Sequence, residues 1–302
     1  KKLKTAPMES TLSNQYNAAV IFRRKKRSRK SNRRFAFAKR VQKAAQSFAS
    51  KKTVQLMRTW SSAAGAGVQN VRAMSLYGVA EFDGDMAEIM EVYNGSVSLT
   101  TDYSIYMHSA HVDYLCSNVG SATMVLKVYT VIPKEDISTL FANNVGDAWT
   151  QSFNAEAQSI GQFLPVANDG IATGITPFPG SAGRPGSTPF DSTVFCQKFT
   201  ILKVTEFILP AGQVASFNDN YMRSGNVHST EFYTGTPDVI ALRGWTKSHI
   251  FVHHGIGTSG AVTTLGTFYP ASSLAVVANK TYKFTVTEHR NRAEVNVGGT
   301  VT

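Results

Sequence analysis

Along most of this chain apolar and polar positions alternate with a period of two, the repeat of a β-strand with one buried face. The stretches that carry it are residues 69–80, 86–99, 103–117, 122–132, 193–209, 213–217, 239–241, 247–254, 262–268, 274–278 and 281–289, all rich in β-branched and aromatic side chains. Turn-forming pieces such as Asp83-Gly84-Asp85, Asn94-Gly95 and residues 118–121 separate most of them. Many strands with no strand–helix–strand rhythm predict an all-β protein of two packed antiparallel sheets. With eight main strands, a single jelly roll is one of the few standard solutions. An immunoglobulin-like sandwich uses the same kind of strand, but normally in only about 100 residues.

Three segments depart from this pattern. Asp136 reads as the N-cap of one short helix between strands, with Ile137, Leu140, Phe141, Val145, Ala148 and Trp149 following at helical spacing. Residues 161–192 carry Gly170, Gly174, Gly180, Gly183 and Gly186 together with Pro177, Pro179, Pro185 and Pro189, which predicts a long Gly/Pro-rich surface loop. Between Arg33 and Trp60, Phe37, Val41, Ala44 and Phe48 recur at helical spacing, and Lys39, Arg40, Lys43, Lys51 and Lys52 fall mostly on other faces. That is the pattern of an amphipathic basic helix, and the run from Ser61 to Gly67 has the composition of a hinge after it. The chain therefore divides into a partly helical N-terminal arm, residues 1–60, and a β body, residues 61–302, of a size that sandwiches reach as one domain.

Charge sharpens this division. Residues 1–60 hold eighteen Lys and Arg against the single Glu9, a balance of +17, while residues 61–302 hold thirteen against nineteen Asp and Glu, a balance of −6, which together give the net +11 of the chain. Twelve of the cations fall between Arg23 and Lys43 without one acidic residue: Arg23, Arg24, Lys25, Lys26, Arg27, Arg29, Lys30, Arg33, Arg34, Lys39, Arg40 and Lys43. Like charges at this density repel one another and bury too little apolar surface to order themselves, so the arm needs an anionic partner. Arginine meets phosphate with a planar donor fork, and neutralising phosphates releases condensed counterions, which makes nucleic acid the leading partner. A membrane surface competes for the same charge, but residues 23–31 contain no apolar side chain and no stretch of the chain is apolar for the 18 or so residues a spanning helix needs. The segment RRKKRSRK also fits a nuclear-import signal. Phosphate contacts position a protein without reading bases, so binding should tolerate any sequence, with Phe35, Phe37 and Trp60 as candidates either for base stacking or for packing.

Particular residues carry a family resemblance. The stretch 112–137, VDYLCSNVGSATMVLKVYTVIPKEDI, resembles the paired strands and charged helix start of capsid proteins of small circular single-stranded DNA viruses. Residues 196–212, CQKFTILKVTEFILPAG, resemble a later strand and turn of the same capsids, and 243–257 (RGWTKSHIFVHHGIG) and 274–287 (LAVVANKTYKFTVT) follow in the same order. Within that group the chain looks most similar to circovirus-like and bacilladnavirus-like capsids, which are related to coat proteins of small RNA viruses. The resemblance implies a single jelly roll, self-assembly of 60 copies or a multiple into an icosahedral shell, a virion location with a nuclear stage in the host, and an inward arm that binds the genome. It implies DNA rather than RNA; an arginine arm by itself binds either. At +17 per arm, sixty to 180 copies would supply roughly 1,000 to 3,000 positive charges, the scale of kilobases of single strand. Reading the residues alone keeps two other classes open, a cellular nucleic-acid-binding β-barrel with a basic tail and a carbohydrate-binding or hydrolytic jelly roll.

Other chemistry is sparse. The chain contains no G-x-S-x-G, P-loop, G-x-G-x-x-G, H-E-x-x-H or C-x-x-C motif, so no enzymatic role is expected. His249 and His253 share one face of a strand and His254 takes the other, so they read as polar strand-surface residues rather than converging metal ligands, as do His108 and His111. Asp83, Asp85 and Glu88, with Glu91 and Asp102 beyond, read as a solvated charged turn, the alternative being a structural calcium site of the kind the resemblance places between subunits. No other cofactor is expected. Cys116 and Cys196 read as a buried reduced pair, and the opening KKLKTAPMES has no apolar core of a secretory signal.

Overall fold

A computed structural model describes residues 51–79, 84–86, 88–89, 104–159, 182–228, 239–257 and 268–287. Their strands are β1 (Lys51–Ala64), β2 (Asn70–Leu76), β3 (Ser104–Asn118), β4 (Met124–Pro133), β5 (Ile137–Ser138), β6 (Phe199–Leu209), β7 (Val214–Tyr221), β8 (Gly225–His228), β9 (Val239–Ala241), β10 (Lys247–Gly255) and β11 (Ser272–Thr287). Two helices, α1 (Val145–Ser159) and α2 (Thr193–Lys198), and a 3-10 turn at Pro189–Asp191 lie between β5 and β6.

Sheet 1 has the order β1-β11-β3-β7, with β8 continuing along β3, and sheet 2 the order β2-β10-β4-β6; β5 and β9 form a separate ribbon. If β7 and β8 count as one strand and the ribbon is set aside, the eight main strands run 1-8-3-6 and 2-7-4-5. The pairs 4·5, 3·6, 2·7 and 1·8 are those of one long antiparallel hairpin, and wrapping it brings 8 beside 3 and 7 beside 4. That order defines a jelly roll, the predicted all-β fold.

The core lies in two layers. Between the sheets, β3 contributes Ile105, Met107, Ala110, Val112, Tyr114 and Cys116, and β11 contributes Leu274, Val276, Ala278, Tyr282 and Phe284, against Met124, Leu126, Val128 and Phe251 of sheet 2. The inward residues of β3 switch from odd to even numbers because the register slips between Lys283 and Phe284, which leaves His108 as an extra residue. A bulge of this kind is what a strand needs to keep both halves of such a pattern on one face. On its other face sheet 2 packs Tyr129, Val131, Ile250 and Val252 against Val145, Ala148, Trp149 and Phe153 of α1 and Phe195 of α2. Phe195 and Phe199 stack with centroids 4.5 Å apart.

Several expectations are corrected. Residues 51–60, assigned to the arm and its basic helix, form the first ten positions of β1 and pair with β11, and Ser61–Ala64 continue that strand rather than forming a hinge. Val54, Leu56 and Trp60 point inward from β1 and pack on the core, a period of two that the helical reading overran. The remainder of the basic helix lies outside the described residues. Asp136 does not cap a helix: its carboxylate accepts from the Arg243 N–H at 2.7 Å, and Ile137–Ser138 pair with β9. The helix starts at Val145, capped by Asn144, whose Oδ1 accepts the Asp147 N–H at 3.0 Å while its Nδ2 donates to the Asp147 carboxylate at 2.8 Å. Leu140, placed on the helix stripe, is exposed. Residues 193–198, read as strand, form α2, where Ser192 Oγ accepts the Phe195 N–H at 3.2 Å. Residues 274–289, read as two strands, form one strand as far as Thr287. Of the predicted loop 161–192, only residues from 182 onward are described, and of the predicted strands 86–99 and 262–268 only Met86, Glu88, Ile89 and Phe268 are.

Candidate nucleic-acid interface and the buried polar clusters

The twelve arm cations from Arg23 to Lys43, with Phe35 and Phe37, lie outside the described residues. Trp60, the third stacking candidate, is a packing residue: its ring meets Phe251 edge-on with centroids 5.4 Å apart. The chain that follows the arm enters the fold at Lys51, which is exposed and pairs with Thr285 near the end of β11.

Asp85, expected in a solvated charged turn, is buried instead, while Glu88 is part-exposed. Asp83 lies outside the described residues, but Asp85 is fully buried beside Lys280, also fully buried. Lys280 Nζ donates to the Asp85 carboxylate at 2.7 Å and to the Ser75 carbonyl at 2.7 Å, and Tyr282 O–H donates to the same carboxylate. Arg58 reaches the other Asp85 oxygen at 3.4 Å and Glu88 at 2.6 Å. Both carboxylate oxygens of Asp85 face cations, and a calcium ion bound at Oδ2 would have to displace Lys280 from a buried pair. Among the described residues no group of three or more His, Cys, Asp and Glu is arranged to hold a metal.

His249 and His253 are also inside rather than on the surface, whereas His108, His111 and His254 are part-exposed. His249 and His253 share the inward face of β10, as the alternation requires, but sheet 2 is covered on both sides and both rings are fully buried. His249 Nδ1 lies 2.9 Å from Tyr114 Oη and its Nε2 lies 2.8 Å from Asp219. Burial outweighs the attraction of Asp219 and holds the His249 pKa below its ordinary value. The neutral ring therefore donates from Nε2 to Asp219 and accepts the Tyr114 O–H at Nδ1. Burial pulls the Asp219 carboxyl upward, yet hydrogen bonds from His249 and Lys247, the latter at 2.5 Å, hold it below the ordinary carboxylate range. His253 lies 2.7 Å from Ser62 Oγ and 3.0 Å from Ser272 Oγ, and burial, helped by His254, pushes its pKa down to about 4. Ser62–His253–Ser272 has the elements of a nucleophile and base, but all three residues are buried and the second ring nitrogen meets a hydroxyl instead of an orienting carboxylate. The cluster stitches β1, β10 and β11 together.

Cys116 is buried on β3 and burial pushes its thiol up to about 12, whereas Cys196 is half-buried on α2 rather than in a strand; no disulfide joins them. Sequence reading missed Lys280, Asp219 and Lys247 as structural ions. The available signal was Lys280 itself, a cation at a core position of the alternating run Leu274, Val276, Ala278, Tyr282, Phe284. No helix among the described residues is long and apolar enough to cross a membrane.

Strand order and layer structure thus make this a single jelly-roll protein. Its sequence matches no protein-family model and no curated protein. Among solved structures it is similar to the BFDV capsid protein in its decameric form, at 8% identity over 79% of this chain and 100% of that one, with a TM-score of 0.30. It is also similar to a mud crab tombus-like virus, at 10% identity over 80% and 92% of the two chains, with a TM-score of 0.30. A third is the desmodium yellow mottle tymovirus, at 8% identity over 80% and 92%, with a TM-score of 0.27.

Proposed function

We propose that this chain is the coat protein of a small icosahedral virus, its jelly roll forming the shell wall and its N-terminal arm holding a single-stranded genome. The observation that carries this reading is the joining, in one chain, of a complete jelly roll to a run of twelve cations with no acid among them. A jelly roll closes on itself and needs no polycation to fold, so the arm serves a partner. Because β1 begins at Lys51, the arm is residues 1–50, with fifteen Lys and Arg against Glu9, a balance of +14. Sixty to 180 arms then carry about 800 to 2,500 positive charges, still the scale of a kilobase genome. The role is structural, the location is the virion, and RRKKRSRK supports passage through the host nucleus. DNA is preferred to RNA on the family resemblance.

Electron microscopy and mass measurement of the purified full chain test this. Closed particles of roughly 2 MDa or a multiple are expected from sixty copies of a 32.8 kDa chain. Monomers or small oligomers at every salt concentration would instead identify a cellular binding module, and sugar-specific binding would identify a carbohydrate-binding jelly roll.

A further inference from the structure

The outer face of sheet 1, turned away from the core, is divided in its chemistry. Toward the β3–β4 turn it carries Ala275, Val277, Leu115 and Val214, without charge. Toward the end where Lys51 begins β1, it carries rings and cations. Lys51 pairs with Thr285 and Thr285 with Tyr106, so these three side chains form one row across the sheet. His108, the bulged residue, places its Nε2 2.7 Å from Thr285 Oγ1 and its ring 5.0 Å from that of Tyr106. Burial and then the charge of Lys51 lower the His108 pKa. Lys283 is exposed one row further on and His111 one row beyond that, opposite Thr281. The only carboxylate on this face among the described residues is Asp113, 3.0 Å from His111 Nε2.

Half-buried rings standing on an antiparallel sheet and flanked by exposed lysines match the two demands of a single strand, π-faces for bases and cations for phosphates. The remaining positions in these rows are Thr, Ser, Gln and Asn, which suit a wet polar ligand and not an apolar one. We propose that this end of the outer face of sheet 1 is a second contact for single-stranded nucleic acid, in which Tyr106, His108 and His111 stack on bases and Lys51 and Lys283 neutralise phosphates. The proposal rests on the coat-protein reading and assigns a genome contact to the β wall as well as to the arm.

Ultraviolet cross-linking of the full chain to oligothymidylate, with peptide mapping, separates the two claims. Cross-links in residues 104–113 in addition to the arm are the expected result. Cross-links confined to residues 1–50 would overturn the platform and leave the arm's role standing, whereas no cross-link anywhere would sink the nucleic-acid reading itself. In a second measurement, the double variant Lys51→Gln/Lys283→Gln should reduce the slope of log K against log salt by about 1.4, two phosphate contacts at about 0.7 each for a single strand. An unchanged slope would overturn the assignment of these lysines, which are exposed and can be replaced without disturbing the core.

Discussion

The two sheets of this molecule have the same construction and opposite surroundings. Sheet 2 is packed on both faces, by sheet 1 on one side and by α1 and α2 on the other, and its central strand β10 is buried at every position from Lys247 to His253. Among the described residues sheet 1 is packed on one face over most of its length, and its central strand β11 alternates buried and part-exposed residues from Ser272 to Ala278. The comparison shows how polar residues are used in each setting. On the covered strand, His249, His253 and Lys247 are tolerated because each finds a hydrogen-bonding partner, as buried polar groups must. On the open face most Thr, Ser and Asn meet water, although Thr285 is buried beneath His108 and Asn220 meets His111, and the face stays available for a ligand.

The largest test of this distinction is at Lys280, a fully buried charge on sheet 1 that points into the covered layer. Lys280→Met leaves Asp85 buried beside Tyr282 with its main cation removed, which should destabilise the fold by about 3–5 kcal/mol in urea or thermal unfolding. The double variant Lys280→Met/Asp85→Leu removes both charges and should recover much of that loss. A single variant within about 0.5 kcal/mol of the parent chain would mean that Asp85 is solvated after all.

The same distinction explains what the sequence could tell. Where a strand has one open face, period two marks it well: the predicted 103–117 lies within one residue of β3 at each end. Lys280 broke the pattern of β11, because a lysine after Asn279 reads as a turn unless its partner is known, and that partner lies 195 residues away. On β10 the alternation assigned His249 and His253 to one face correctly but could not say that both faces were covered. The start of the body was missed because Phe37, Val41, Ala44 and Phe48 suggested a helix whose period was carried on into Lys51, although Val54, Leu56 and Trp60 already repeat every two residues. Helix α1 was placed too early for a similar reason. Ile137 and Phe141 fit a helical stripe as well as a short strand and turn, and only Asn144 and Asp147 mark the true cap. Of the candidate site, the arm's charge was legible at once, while the rings on sheet 1 were not, since His111 shares a face with Tyr106 and His108 only through the bulge.

A smaller effect follows from the neutral histidines of the covered layer. His253 has a folded pKa of about 4 against an ordinary 6.5, so between these values the unfolded chain binds a proton that the folded chain refuses. Stability is therefore full above about pH 6.5 and is lost as pH falls toward 4, by an amount on the order of 3 kcal/mol. His249, lowered by burial, acts in the same direction, and Asp219 adds its own loss only in the carboxylate range below. Urea midpoints measured from about pH 7.5 to about pH 4.5 should fall for the parent chain and fall less for His253→Gln. Parallel curves would show that His253 takes up its proton without leaving the core.

The finest test makes one substitution on the outer face of each sheet. Val252 is buried on sheet 2 beneath the helices, and Val277 is half-buried on sheet 1 with the row Thr59, Leu115 and Ser216 around it. Val252→Ala removes two methyl groups from a closed layer and should cost about 2 kcal/mol, the transfer of those groups plus the cavity they leave. Val277→Ala removes the same atoms from a face that water already reaches, so its cost should stay within about 0.5 kcal/mol. Equal losses would mean that the outer face of sheet 1 is covered within the single chain. In that case neither a genome nor another subunit could reach it, and the asymmetry between the sheets would be one of sequence alone.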